Sequence, residues 1–188
     1  ININVSALAA GAHTLTVTAI DQATLCTASV NFDLNIDANP LNNLAVNGSV
    51  ACEGANGTLT IVNSQAGVTY QAINAGGANV GASQAGNSSD ITLTLPANTL
   101  SVGANVFSVR ATNGAGCSVT LLATATVNVT ALPLATAGVT ATTVICQNID
   151  GEATVVGSEN GVVYQLNING VAAGTAQTGN GTDLIFVI

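Results

Sequence analysis

One stretch of sequence occurs twice in this chain. From Cys52 it reads CEGANGTLTIVNSQAGVTYQ, and from Cys146 it reads CQNIDGEATVVGSENGVVYQ. The pairs Cys52/Cys146, Gly57/Gly151, Ser64/Ser158, Gly67/Gly161, Tyr70/Tyr164 and Gln71/Gln165 all lie 94 positions apart. Gly81/Gly174, Gln84/Gln177, Gly86/Gly179 and Asp90/Asp183 continue at 93, one residue having been deleted. The N-terminal part matches a different stretch. Gly11-Ala12-His13-Thr14-Leu15-Thr16-Val17 aligns with Gly103-Ala104-Asn105-Val106-Phe107-Ser108-Val109, Cys26 with Cys117, and Pro40-Leu41 with Pro133-Leu134. Recurrence at one long period is the mark of a supersecondary unit used repeatedly. Residues 1–45 therefore read as the C-terminal half of one repeat, 46–136 as a complete repeat, and 137–188 as the N-terminal half of a further one.

The repeat reads as strands. Thr58 to Asn63 and Val68 to Ile73 are β-prone runs separated by the turn residues Ser64 to Gly67. Ile91, Leu93 and Leu95 alternate with threonines, and Phe107, Val109 and Ala111 alternate with Ser108, Arg110 and Thr112. The run from Leu121 to Val129 alternates in the same way. A period of two puts one face in a core and the other in water. About seven short strands per unit, with turn signals between them, predict an all-β fold of tandem immunoglobulin-like antiparallel β-sandwich repeats of about 94 residues. A β-solenoid would repeat at a much shorter interval.

Composition narrows the partners. The chain has one basic residue, Arg110, against nine acidic ones, for a formal charge of −8. Phosphate binding needs clustered Lys and Arg, so no nucleic-acid partner is expected, nor an anionic membrane surface. No run approaches the roughly 18 to 20 apolar residues of a membrane-spanning helix, so no membrane insertion is expected either. Val, Ile and Thr in alternating runs distinguish the chain from a disordered one. No signal peptide is visible ahead of the repeats, which reads as an export signal already removed or as an internal segment.

Four cysteines recur with the repeat. In an immunoglobulin-like order the first strand starts at the end of the sandwich where the sixth finishes, so Cys52 and Cys117 are expected to meet. Such a disulfide closes a loop of 65 residues, worth on the order of 4 kcal/mol. The alternative is four buried free thiols. Cys26 and Cys146 are left to pair with repeats outside this segment, or with neighbouring copies in which Cys146 of one meets Cys26 of the next. Without a CxxC pair or a second histidine, no metal site and no cofactor are expected.

No catalytic residues are expected, and the chain does not read as an enzyme. His13 stands where the complete repeat has Asn105, which marks a strand residue. Glu53 and Glu152 lie in different repeats and Asp90 at a strand start, so no carboxylate pair spans a cleft. Asp33, Asn35 and Asp37 line one face of a strand, with less carboxylate density than calcium demands.

The pattern of Cys52, Gly54, Thr58, Leu59, Thr60 and Ile61, then Ser64, Gly67, Val68, Tyr70 and Gln71, then Gly103, Asn105, Phe107, Val109, Ala111, Thr112, Asn113 and Cys117, resembles repeats of very large cell-surface adhesins of Bacteroidota. These include gliding-motility adhesins exported by the type IX secretion route. The resemblance implies an extracellular filament or giant adhesin whose repeats act as spacer or stalk in adhesion or gliding. Its partners would be neighbouring repeats or copies arranged head to tail, with surface glycans or other cells as ligands. Two further readings stand beside it. One is a binding module whose loop Ala75 to Ser89 holds carbohydrate or protein; the other is a pilus-like fibre whose subunits share strands. A window on one long polypeptide is favoured over separate subunits, because a cut between Ile188 and Ile1 falls inside or beside a strand.

Overall fold

The computed structural model describes residues 8–134 and 138–187, which fall into two compact units, Ile1–Ala131 and Leu132–Ile188. Among the described residues the regular elements are strands, apart from one short 3-10 turn at Ala97–Thr99. The all-β expectation therefore holds.

The first unit opens with a hairpin. Strands β1 (Gly11–Ile20) and β2 (Thr27–Ile36) pair antiparallel without a break, from Gly11 opposite Ile36 to Ile20 opposite Thr27. Alternation separates its two faces. Leu15, Val17 and Ala19 share one face with their partners Phe32, Val30 and Ala28. The other face is a polar ladder: Thr14 donates to Asp33 Oδ1 at 3.0 Å, Thr16 donates to Asn31 Oδ1 at 2.8 Å, and the Thr18 and Ser29 hydroxyls lie 2.9 Å apart. Asp21 closes the turn by accepting from the amides of Ala23 and Thr24 and from the Thr24 hydroxyl.

Nine strands follow in the same unit. They are β3 (Val46–Gly48), β4 (Val50–Cys52), β5 (Gly57–Ile61), β6 (Val68–Ile73), β7 (Asn79–Ala85), β8 (Ile91–Leu95), β9 (Gly103–Asn113), β10 (Ser118–Thr120) and β11 (Ala125–Thr130). One sheet runs β3-β5-β8; the other runs β4-β11-β9-β6-β7, with β10 also on β9. All pairings are antiparallel except β4 with β11. Inward residues of both sheets join one buried cluster. Leu59, Ile61, Leu93 and Leu95 come from the first, Tyr70, Ala72, Val109, Ala111 and Val127 from the second, and none exposes more than 1% of its surface.

Three details differ from the sequence reading. A strand precedes Cys52, so this cysteine ends a strand instead of starting one. The strand splits at Gly48-Ser49, where β3 belongs to one sheet and β4 to the other; a Cβ on Gly48 would lie 2.0 Å from the Thr126 carbonyl oxygen, so only glycine passes there. Of the run from Leu121 to Val129, only the part from Ala125 onward is strand. β10 pairs with the far end of β9 and β11 with its start, and the register shifts between them. Within the loop expected at Ala75 to Ser89, the chain forms β7 and leaves only short turns on either side.

The second unit holds β12 (Gly138–Ala141), β13 (Glu152–Val156), β14 (Val163–Tyr164), β15 (Asn167–Ile168), β16 (Val171–Ala172), β17 (Gln177–Thr178) and β18 (Leu184–Val187). Its three-stranded sheet, β12-β13-β18, has Val139 opposite Val155 and Ala153 opposite Phe186, as Val46 is opposite Ile61 and Leu59 opposite Leu93 in β3-β5-β8. The core is small: Ala153, Val155, Leu184 and Phe186 are buried, with Tyr164 and Leu166 half-buried against them. Strands β14-β17 and β15-β16 form separate two-stranded sheets.

Candidate functional site

The residues that repeat in the sequence build one hydrogen-bonded framework, and they build it twice. At the β5–β6 turn the buried Ser64 hydroxyl donates to the Ser89 carbonyl at 2.6 Å, and Ser158 does the same to Thr182 at 2.6 Å. The Tyr70 hydroxyl accepts from the Gln65 amide at 2.8 Å, as Tyr164 does from Glu159 at 2.8 Å. Asp90 Oδ1 accepts from the Asn63 amide at 2.9 Å, and Asp183 Oδ1 from Gly157 at 2.8 Å. Gln71 clamps the next strand by donating to the carbonyls of Ala72, Val80 and Gly81; Gln165 donates to Leu166, Ala173 and Gly174.

The conserved spacing of Gly86 and Gly179 has a steric cause. A Cβ on Gly86 would lie 2.2 Å from the Gln65 carbonyl oxygen and 2.9 Å from the Tyr70 ring; one on Gly179 would lie 1.9 Å from the Glu159 carbonyl oxygen and 3.0 Å from the Tyr164 ring. Each glycine lets the chain pass directly over the tyrosine. The entry to each framework is also tied down alike, with the Leu41 amide donating to Gln65 Oε1 and the Leu134 amide to Glu159 Oε1. The framework positions turns and strand edges, and the side chains that make it are occupied with backbone amides and carbonyls.

The isolated candidates of the sequence fall into the same pattern. His13 Nε2 donates to the Ala9 carbonyl at 2.8 Å, four residues back, and Asn105 Nδ2 donates to the Ser101 carbonyl at 2.7 Å over the same separation. A carbonyl only accepts, so that histidine nitrogen carries the proton. Asp33 is engaged in the threonine ladder, and Asp37 accepts from Asn35 at 2.8 Å. Among the described residues no group of three or more His, Cys, Asp and Glu side chains is placed to hold a metal. Asp21 has its carboxyl held below the ordinary value, first by the Thr24 amide, then by the Thr24 hydroxyl and the Ala23 amide.

The cysteines require a correction. All four are free, and the expected Cys52–Cys117 disulfide is absent. Cys52 lies opposite Thr130 at the end of β11, whose Val129 faces Gly103 at the start of β9. Cys117 lies beyond the other end of β9, in a turn that Asn113 closes by accepting from its amide at 2.9 Å. The 11 residues of β9 stand between them, a span of about 35 Å at the usual rise, whereas bridged Cα atoms lie about 5.5 Å apart. The expectation puts Cys52 at the start of its strand, whereas Cys52 ends β4. Cys26 and Cys146 are exposed; Cys146 accepts from Ile149 in the same kind of turn that Cys52 makes with Ala55.

No protein-family model matches this chain, and none of the curated proteins matches it.

Proposed function

We propose that this chain is a structural repeat segment of an extracellular surface filament or giant adhesin, its repeats serving as spacer or stalk in adhesion or gliding. Each repeat is an immunoglobulin-like sandwich in this reading, with β3-β5-β8 facing β4-β11-β9-β6-β7 across the shared cluster. The observation that carries it is the duplicated framework. Ser64, Tyr70, Gln71, Gly86 and Asp90 recur at 93 or 94 positions; the four side chains each hold a turn or a strand edge, and Gly86 leaves room for the chain beside Tyr70. Residues retained from repeat to repeat for such bonds serve geometry and stability, as expected where each unit contacts its neighbours. The resemblance to Bacteroidota adhesins and the acidic, lysine-free composition support a cell-surface setting.

Two measurements test the reading. Intact mass of the native material under denaturing conditions should lie far above the 18.3 kDa of this chain, with and without reductant. Stretching single molecules should then give a sawtooth with evenly spaced steps of about 300 Å, from about 94 residues at roughly 3.5 Å each less the folded length. Irregular steps, or a featureless stretch, would remove the repeating thread.

A further inference from the structure

One strand pairing in the repeat spanning β3 to β11 is parallel, and it joins the first stretch of that repeat to its last strand. Val50 lies opposite Asn128, Ala51 opposite Val129 and Cys52 opposite Thr130. At one end of this ladder the Asn128 amide donates to the Ser49 carbonyl at 3.1 Å; at the other the Glu53 amide donates to the Thr130 carbonyl at 2.8 Å. In a parallel pair every second residue makes both of its main-chain bonds to the partner, so Ala51 supplies the two between them, donating to Asn128 and accepting from Thr130. The Val50 amide then points away from β11, along the edge of the sheet that β4 forms.

Strand direction decides how such a ladder meets tension. The chain reaches Val46 from residues 37–45 and leaves Thr130 into Ala131. Because β4 and β11 run the same way, the arriving and departing chain lie at opposite ends of the pair. Pulling on both draws the strands past one another, and the four bonds share the load at once. In an antiparallel pair both would lie at the same end, and the bonds would open one at a time.

The first stretch is also tied to the other sheet. β3 pairs with β5, and the Val62 amide donates to the Ala45 carbonyl and the Ser49 amide to the Thr58 carbonyl, each at 3.0 Å. The crossing between the two attachments lies directly on β11, where a Cβ on Gly48 would meet the Thr126 carbonyl oxygen. Val46 is buried and Ala51 packs against the core, so sliding the stretch along its axis also drags apolar groups into water.

We infer that β4 and β11 form a mechanical clamp that makes this repeat a force-bearing link, loaded in shear when the chain is pulled from before Val46 and beyond Thr130. The inference deepens the thread reading and rests on it for the direction of pull. The clamp acts through direction and not through strength of any one bond, since the same bonds pulled from one end would part singly.

Stretching single molecules of the full 188-residue chain between handles at its two ends tests this, read on the step of about 300 Å that the closed repeat gives. A step of that length certifies that the repeat was folded before it was pulled. Ala51→Pro removes a ladder amide and should lower the peak force by roughly a quarter or more, because one of the bonds no longer shares the load. Val50→Pro, one residue away with an exposed side chain and its amide on the free edge, should keep the wild-type force. Gly86→Ala, remote from β4 and β11, should lower stability to denaturant and keep the force. Should Ala51→Pro give no step, Glu53→Pro, at the end of the ladder, takes its place with the same expected loss. An unchanged force in the ladder variant, equal losses at Val50 and Ala51, or a loss in Gly86→Ala as large as in Ala51→Pro overturns the clamp. The thread stands or falls separately, on the mass of the native material and the even spacing of its steps: even steps with a force indifferent to Ala51→Pro keep the thread and sink the clamp.

Discussion

The repeat spanning β3 to β11 and the segment spanning β12 to β18 share a framework but differ in closure. Both hold the serine and tyrosine bonds at the same distances, and in both the glutamine donates to three equivalent carbonyls. Among the described residues strands flank the tyrosine on both sides in the first, where Tyr70 is fully buried, while Tyr164 is half-buried. Local hydrogen bonding therefore forms the turns wherever the sequence occurs. The larger, fully sealed core is the one to which a second sheet contributes.

The comparison is broken most strongly by a cavity. Leu93→Ala in the closed repeat should cost about 2–5 kcal/mol, the range for a buried leucine truncated to alanine in a packed core. Phe186→Ala, at the equivalent position, should cost less, because its surroundings can collapse into the neighbouring pocket. Chemical denaturation monitored by circular dichroism separates the two, and equal losses would mean that the second segment is already closed.

Steric closure comes next. Gly86→Ala should lose about 1–3 kcal/mol, since the new methyl group meets backbone and an aromatic ring that cannot both retreat. Gly179→Ala should show the same sign, sharpening the claim that the framework is shared. A smaller effect is expected from Tyr70→Phe, about 1 kcal/mol for an amide losing its acceptor, with Tyr164→Phe below it because water reaches that site.

A pH effect is expected at the hairpin. The carboxyl of Asp21 has a folded-state value below its unfolded one, so its contribution is present above about pH 4 and is lost as pH falls through the folded value. Amide exchange at Ala23 and Thr24 should accelerate on acidification relative to Asp21→Asn. The smallest effect is none: reductant should leave the unfolding midpoint of the closed repeat unchanged, because Cys52 and Cys117 are not bridged.

Much of this architecture is legible in the chain. Alternation at Ile91 to Leu95 and at Phe107 to Ala111 gives β8 and β9, and the recurrence of Ser64, Tyr70, Gln71 and Gly86 marks a framework before its bonds are seen. These signals are local: a period of two, a turn residue, a repeated spacing. The short strand ending at Cys52 is not legible because two three-residue strands on either side of Ser49 carry too little alternation to stand out. What made Gly48 informative is a carbonyl oxygen from Thr126, far along the chain.

Sequence by itself determined that the described residues are essentially β and that the two segments carry the same turn residues, since alternation and turn chemistry are properties of short stretches. Only the tertiary structure decided which end of the sheet each cysteine occupies, and which of two similar segments has a sealed core. Both depend on strand direction and sheet membership. Those follow from packing between elements distant in the chain, where shifting one strand end by the length of β9 turns an expected bridge into thiols about 35 Å apart.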